Sequence, residues 1–155
     1  MLSHFAALAL SLAAPAGTDD WYYVDADAGG ANITFIDKAS IRTNAAGNTE
    51  AAMFSVLATD EEGAAAYRFV VEYACATKRS RLLTGEMFDA ALKSDGIEDM
   101  GADWEANDPG SQGDTIVAFV CTKGAGRSDS VSLGNALPLA KGRAMLAERA
   151  TKAAK

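Results

Sequence analysis

Few side chains in this chain could do chemistry, and their spacing is restrictive. The sequence has one histidine, His4, and two cysteines, Cys75 and Cys121. His4 lies within residues 1–16, ahead of an apolar run, so a mature chain lacking that segment has neither Ser-His nor Cys-His catalysis, nor the commonest metal ligand. The cysteines are too far apart for a Cys-x-x-Cys redox motif. Asp25-x-Asp27 before Gly29-Gly30 starts like a calcium loop. Gly29 and Ile36 then stand where that loop needs a ligand and an acid, so a hairpin turn is the better reading. Glu61-Glu62 and Glu98-Asp99 sit in polar stretches, where paired carboxylates are solvated rather than set apart in pKa for acid-base work. Gly124-Ala-Gly126 lacks the strand and the Lys-Ser/Thr partner of a phosphate loop. No catalytic set, metal site or cofactor motif is read, and no enzyme is expected.

Two clusters could recognise a partner. Lys78, Arg79 and Arg81 are the tightest basic group in an otherwise acidic region, and Arg79 and Arg81 share a strand face. Such a group can hold an acidic protein surface or an anionic ligand. The competing reading is charge that protects an edge strand. The aromatics Tyr67, Phe69, Tyr73 and Phe119 could line a small-ligand pocket, though aromatics at this spacing also make plain core.

The elements that position these residues follow from composition and period. At 155 residues the chain can build one domain with a real core. A net charge of -7 argues against a general nucleic-acid binder. Phe5 to Ala14 is an apolar run ending in Ala14-Pro15-Ala16, a small-x-small cleavage pattern, so residues 1–16 are expected to be a secretory signal, with a buried N-terminal helix as the alternative. No cysteine stands near the cleavage point, so lipid attachment there is not expected, and no later segment is apolar enough to span a membrane. Export implies an oxidising compartment, where an even cysteine count reads as the disulfide Cys75–Cys121. Closing a loop of that length stabilises by about 4 kcal/mol in the chain-entropy view.

Trp21 to Val24 and Ile33 to Ile36 read as strands of a hairpin, with Asp37 to Arg42 a turn. Thr49 to Ala58 is a third strand. Tyr67, Phe69, Val71, Tyr73 and Cys75 alternate on one face of a fourth, and Arg81 to Thr84 returns as the next. Short connections favour antiparallel neighbours. Glu86 to Asp108 is acidic and reads as a solvated excursion pinned by Trp104. Asp114 to Cys121 has strand propensity but helix boundaries: Ser111 caps, Asp114 sits at the capping-box spacing, and Lys123-Gly124 closes. The boundaries favour a helix, which Cys121 would fasten to the sheet. Gly124 to Gly134 is expected to be a flexible linker. Pro138 onward could form a loose basic helix with Leu139, Met145 and Leu146 as a poor apolar face; it reads as a frayed solvated tail, with a membrane-surface or partner-binding helix as the alternative.

Together Trp21, Asp37-Lys-Ala-Ser40-Ile41, Cys75 with Lys78-Arg79-Ser-Arg81-Leu82-Leu83, Trp104, Pro109-Gly110-Ser111 and Cys121 form an ordered set. In order and rough spacing, over about Trp21 to Thr122, the chain resembles the surface-adhesin protein E-like family of bacterial envelope proteins. The resemblance implies an α+β fold: a single antiparallel sheet, here of about five or six strands, with a C-terminal helix packed on one face and held by the disulfide. It implies a non-enzymatic binding module of the Gram-negative periplasm or cell surface, contacting host or matrix proteins, and a homodimer. Lys78, Arg79 and Arg81 are the partner-binding candidates. The domain would span 17–123, with 124–155 as linker and tail. The alternative is a periplasmic carrier holding a small ligand between sheet and helix.

Overall fold

In the computed structural model, residues 19–155 are described, and the expected signal over 1–16 lies outside them. The branched and aromatic runs form β1 (Trp21–Ala26), β2 (Asn32–Thr43), β3 (Thr49–Glu61), β4 (Ala64–Ala74) and β5 (Arg79–Phe88). β6 (Ser94–Asp99) and the two-residue β7 (Glu105–Ala106) follow, then α1 (Gln112–Thr122) and α2 (Leu139–Ala153). The sheet is an antiparallel meander in the order β1-β2-β3-β4-β5-β6, with β7 also pairing β5. Each of β1 to β6 pairs with its neighbour in sequence, as short connections dictate. The Asp25-x-Asp27 segment is a hairpin turn: Gly30 takes a positive φ of 75°, and the Asp27 carboxylate accepts the Ala31 N–H at 3.1 Å.

Strand alternation sorts the side chains onto two faces, and each face receives one helix. On the first, Val24, Ile36, Ala51, Val71 and Tyr73 pack against Ile116, Val117, Phe119 and Val120 of α1. Of the β4 face anticipated for this contact, Tyr67 through Cys75, the residues from Phe69 onward join the α1 cluster and Tyr67 does not. The disulfide joins Cys75 to Cys121 with a Cα–Cα distance of 5.8 Å. On the second face Trp21, Phe35, Phe54 and Val56 are wholly buried beneath Leu139 and Leu146 of α2. Burying one such side chain contributes about 1.5–3 kcal/mol.

Four expectations change. Asp37 to Arg42 is not a turn; β2 continues through it with a register shift. Asp37 Oδ1 accepts from the Asp20 and Ala39 N–H groups at 2.7 and 3.0 Å, and Ser40 Oγ accepts from Ala52 N at 2.8 Å. Side chains there replace ladder bonds, so the strand bends instead of ending. Residues 132–134 are not a free linker. Trp21 N donates to Gly134 O at 3.0 Å and Leu133 N donates to Trp21 O at 2.8 Å, which covers the start of the outer edge of β1.

Nor is the C-terminal segment a solvated tail. α2 lies directly on the sheet, and a Cβ built on Gly142 would stand 2.9 Å from Val56 Cβ. The close approach through a glycine lets a helix with few apolar residues bury Leu139 and Leu146. Finally, the acidic stretch after Phe88 is not irregular, for it supplies β6 and β7.

Candidate protein-contact site

The sequence pointed to Lys78, Arg79 and Arg81, and the fold brings all three to one corner. The β4–β5 turn carries Lys78 at a positive φ of 52°. Arg79 and Arg81 then open β5 opposite Ala74 and Glu72 with no register shift between them, so they share a face. β7 pairs with Arg79 and Ser80, so this corner is not an open edge. The reading of these residues as edge protection therefore loses its premise.

Each cation has a distinct role inside the corner. Lys78 Nζ lies 2.9 Å from Asp114 Oδ1, linking the turn to the first turn of α1. Asp114 is held below the ordinary carboxylate range by the Lys78 hydrogen bond first and the Gly110 N–H second. Arg81 Nε donates to Glu72 Oε2 at 2.6 Å. Its guanidinium lies over the Trp104 ring, 4.8 Å from the centroid. Trp104, the anchor anticipated for the acidic stretch, is thus a half-buried platform for Arg81. Arg79 donates to the Trp104 carbonyl at 2.8 Å. The Arg79 side chain is exposed and forms no ion pair among the described residues.

Glu72 is the residue that sequence reasoning missed. Its side chain is 3 % exposed. Asn44 and Asn48 donate to its Oε1 at 2.7 and 2.9 Å, while Arg81 serves Oε2. Burial pushes this carboxyl up, but the hydrogen bonds from Asn48, Asn44 and Arg81, with the charge of Arg81, outweigh it and bring the pKa below its ordinary value. The loop asparagines gave a weak signal, because only the β2–β3 register brings them beside β4. Elsewhere on the same face, burial raises the pKa of Asp37 against the Asp20 and Ala39 hydrogen bonds that lower it.

The aromatic set divides. Tyr73 and Phe119 are each 1 % exposed within the packing of α1 on the sheet, where they fill the space a ligand would need. Burial alone pushes the Tyr73 hydroxyl up. Tyr67 stacks on Phe69 with ring centroids 5.9 Å apart, and Phe69 packs at the border of the α1 cluster. They floor a depression of about 310 Å³ over β5, with Met87, Glu98 and Met100 around it. The carrier alternative gains no support, since Tyr73 and Phe119 are packed as core where sheet and helix meet.

The sheet with its bent β2, the capped α1 and the single disulfide are now in place, and the sequence profile described as surface-adhesin protein E matches residues 21–122. The chain belongs to the surface-adhesin protein E family. The matched stretch runs from Trp21 at the start of β1 to the end of α1 and contains both cysteines. α2 lies beyond it. No curated protein and no solved structure matches the chain. Among the described residues, no helix of this surface-adhesin protein E member is long and apolar enough to cross a membrane.

Proposed function

We propose that the chain is an exported, non-enzymatic binding module of the bacterial envelope, and that it contacts acidic surfaces of protein partners through the corner formed by Lys78, Arg79, Arg81 and Trp104. Family membership supports the adhesin-like role. One observation carries the choice of surface. Arg79 is an exposed guanidinium without a carboxylate partner among the described residues, oriented by its bond to the Trp104 carbonyl. A guanidinium oriented in advance loses less rotamer freedom on forming a bidentate contact. Trp and Arg are also the residue types that dominate protein contact energies.

The geometry selects the test. Arg81→Glu would place a second carboxylate against buried Glu72 and would damage the fold. Arg79→Glu changes an exposed side chain and is expected to alter stability by less than about 0.5 kcal/mol. Immobilised extracellular-matrix proteins are probed with the native chain and with Arg79→Glu. Saturable binding by the native chain, weakened about tenfold or more in the variant, is expected. Absence of native binding, or equal binding by both, contradicts the proposal.

A further inference from the structure

The two edges of the sheet are treated differently. The outer edge of β1 is paired at Trp21 and Tyr22 by residues 132–134. Among the described residues no strand pairs with the outer edge of β6, and all six of its residues are exposed. That edge carries Asp95, Glu98 and Asp99. Acidic charge alone would suffice to protect it. The flanking surface has what protection does not require. On one face the stacked Tyr67 and Phe69 floor the depression beside Glu98, and Met100 is 41 % exposed at its rim. On the other face Ile97 is 72 % exposed beside Leu83.

We propose that β6 is a strand-addition site for an extended basic segment of a partner protein. The open edge supplies main-chain donors and acceptors, and side chains at alternate positions of the added strand reach the two faces. A lysine or arginine over the Tyr67–Phe69 stack lays its apolar stem along Met87 and Met100 and its charge beside Glu98. Apolar side chains on the other face cover Ile97. A second copy of this chain is the wrong occupant, because pairing β6 with β6 sets Asp95, Glu98 and Asp99 against like charges. α2 of the same chain is also basic but is already packed on β2 and β3. The site adjoins the basic corner, since Arg81 lines the same depression as Leu83 and Ile97, but Arg79 does not line it. It rests on the reading of the chain as a protein-binding module only in the class of partner.

The test uses fluorescent peptides and anisotropy with the full chain. One peptide alternates lysine with valine, one alternates glutamate with valine, and a third is the lysine peptide with every second backbone nitrogen methylated. Saturable binding of the lysine peptide is expected, about tenfold or more tighter than either other peptide. The double variant Glu98→Lys/Asp99→Lys is expected to prefer the glutamate peptide. Methylation leaves charge intact and blocks main-chain pairing. Equal binding of the methylated and unmethylated lysine peptides, unchanged preference in the double variant, or no saturable binding of the lysine peptide overturns the proposal. Arg79→Glu leaves this measurement unchanged, so failure at the corner and failure at β6 are separable.

Discussion

Buried Glu72 governs the polar end of the sheet. Its carboxylate meets two asparagine amides and one guanidinium, so its charge is satisfied on both oxygens. A carboxyl whose pKa is lowered on folding contributes stability that is complete above its ordinary value of about 4.5 and is lost as pH falls through the folded value. Glu72→Gln is therefore expected to cost about 1–3 kcal/mol at neutral pH, with Arg81 left unpaired. The lower part of that range applies because the Arg81 side chain is 38 % exposed. Urea unfolding across pH checks it: the gap from the native chain should narrow as pH drops below about 4.5. A constant gap would show that the ionised carboxylate is not what the amides and Arg81 stabilise. None of this was readable in sequence, because Asn44 and Asn48 reach Glu72 only through the strand register. The basic residues were readable as a cluster, but their separate partners were not.

At the scale of elements, local chemistry explains what could be anticipated. α1 was legible because its start and stop are written in side chains. Ser111 Oγ accepts from Asp114 N at 3.1 Å, and Gly124 N donates to Phe119 O at 2.8 Å past an αL Lys123. Ser111→Ala is expected to lower stability by about 1 kcal/mol, read from the denaturant midpoint at unchanged slope. The docking of α2 on the sheet was not legible, because hydrophobic periodicity counts apolar side chains and its contact is made partly by the missing Cβ of Gly142. The sign of Gly142→Ala follows from comparing two effects. Helix propensity favours alanine by about 1 kcal/mol. A Cβ against the branched Val56 and the Phe35 ring costs about 1–3 kcal/mol. Net destabilisation, measured by thermal unfolding, is expected; a raised midpoint would mean that α2 does not lie this close to the sheet. β2 ran past its expected end for a similar reason: Asp37 and Ser40 read as turn formers, yet their side chains repair the bent ladder.

At the scale of the molecule, one covalent link joins the layers. The disulfide spans a sequence separation of 46 and fastens α1 to the end of β4. Replacing both cysteines by serine is expected to lower stability by about 4 kcal/mol, measured by urea unfolding under non-reducing conditions. Much of this architecture could be read from alternation, short connections and cysteine count. The side on which the sheet stays open could not, because covering the start of the β1 edge depends on where residues 132–134 return. The covered faces and the covered start of the β1 edge leave the β5–β6 end as the exposed part of the sheet, and the basic corner stands there. Hydrogen exchange of the chain with and without a bound matrix protein tests the assignment of that corner most directly. Slowed exchange at residues 78–82 and 102–107, with α1 and α2 unchanged, is expected. Protection confined to either helix, with residues 78–82 and 102–107 exchanging as in the free chain, would contradict it.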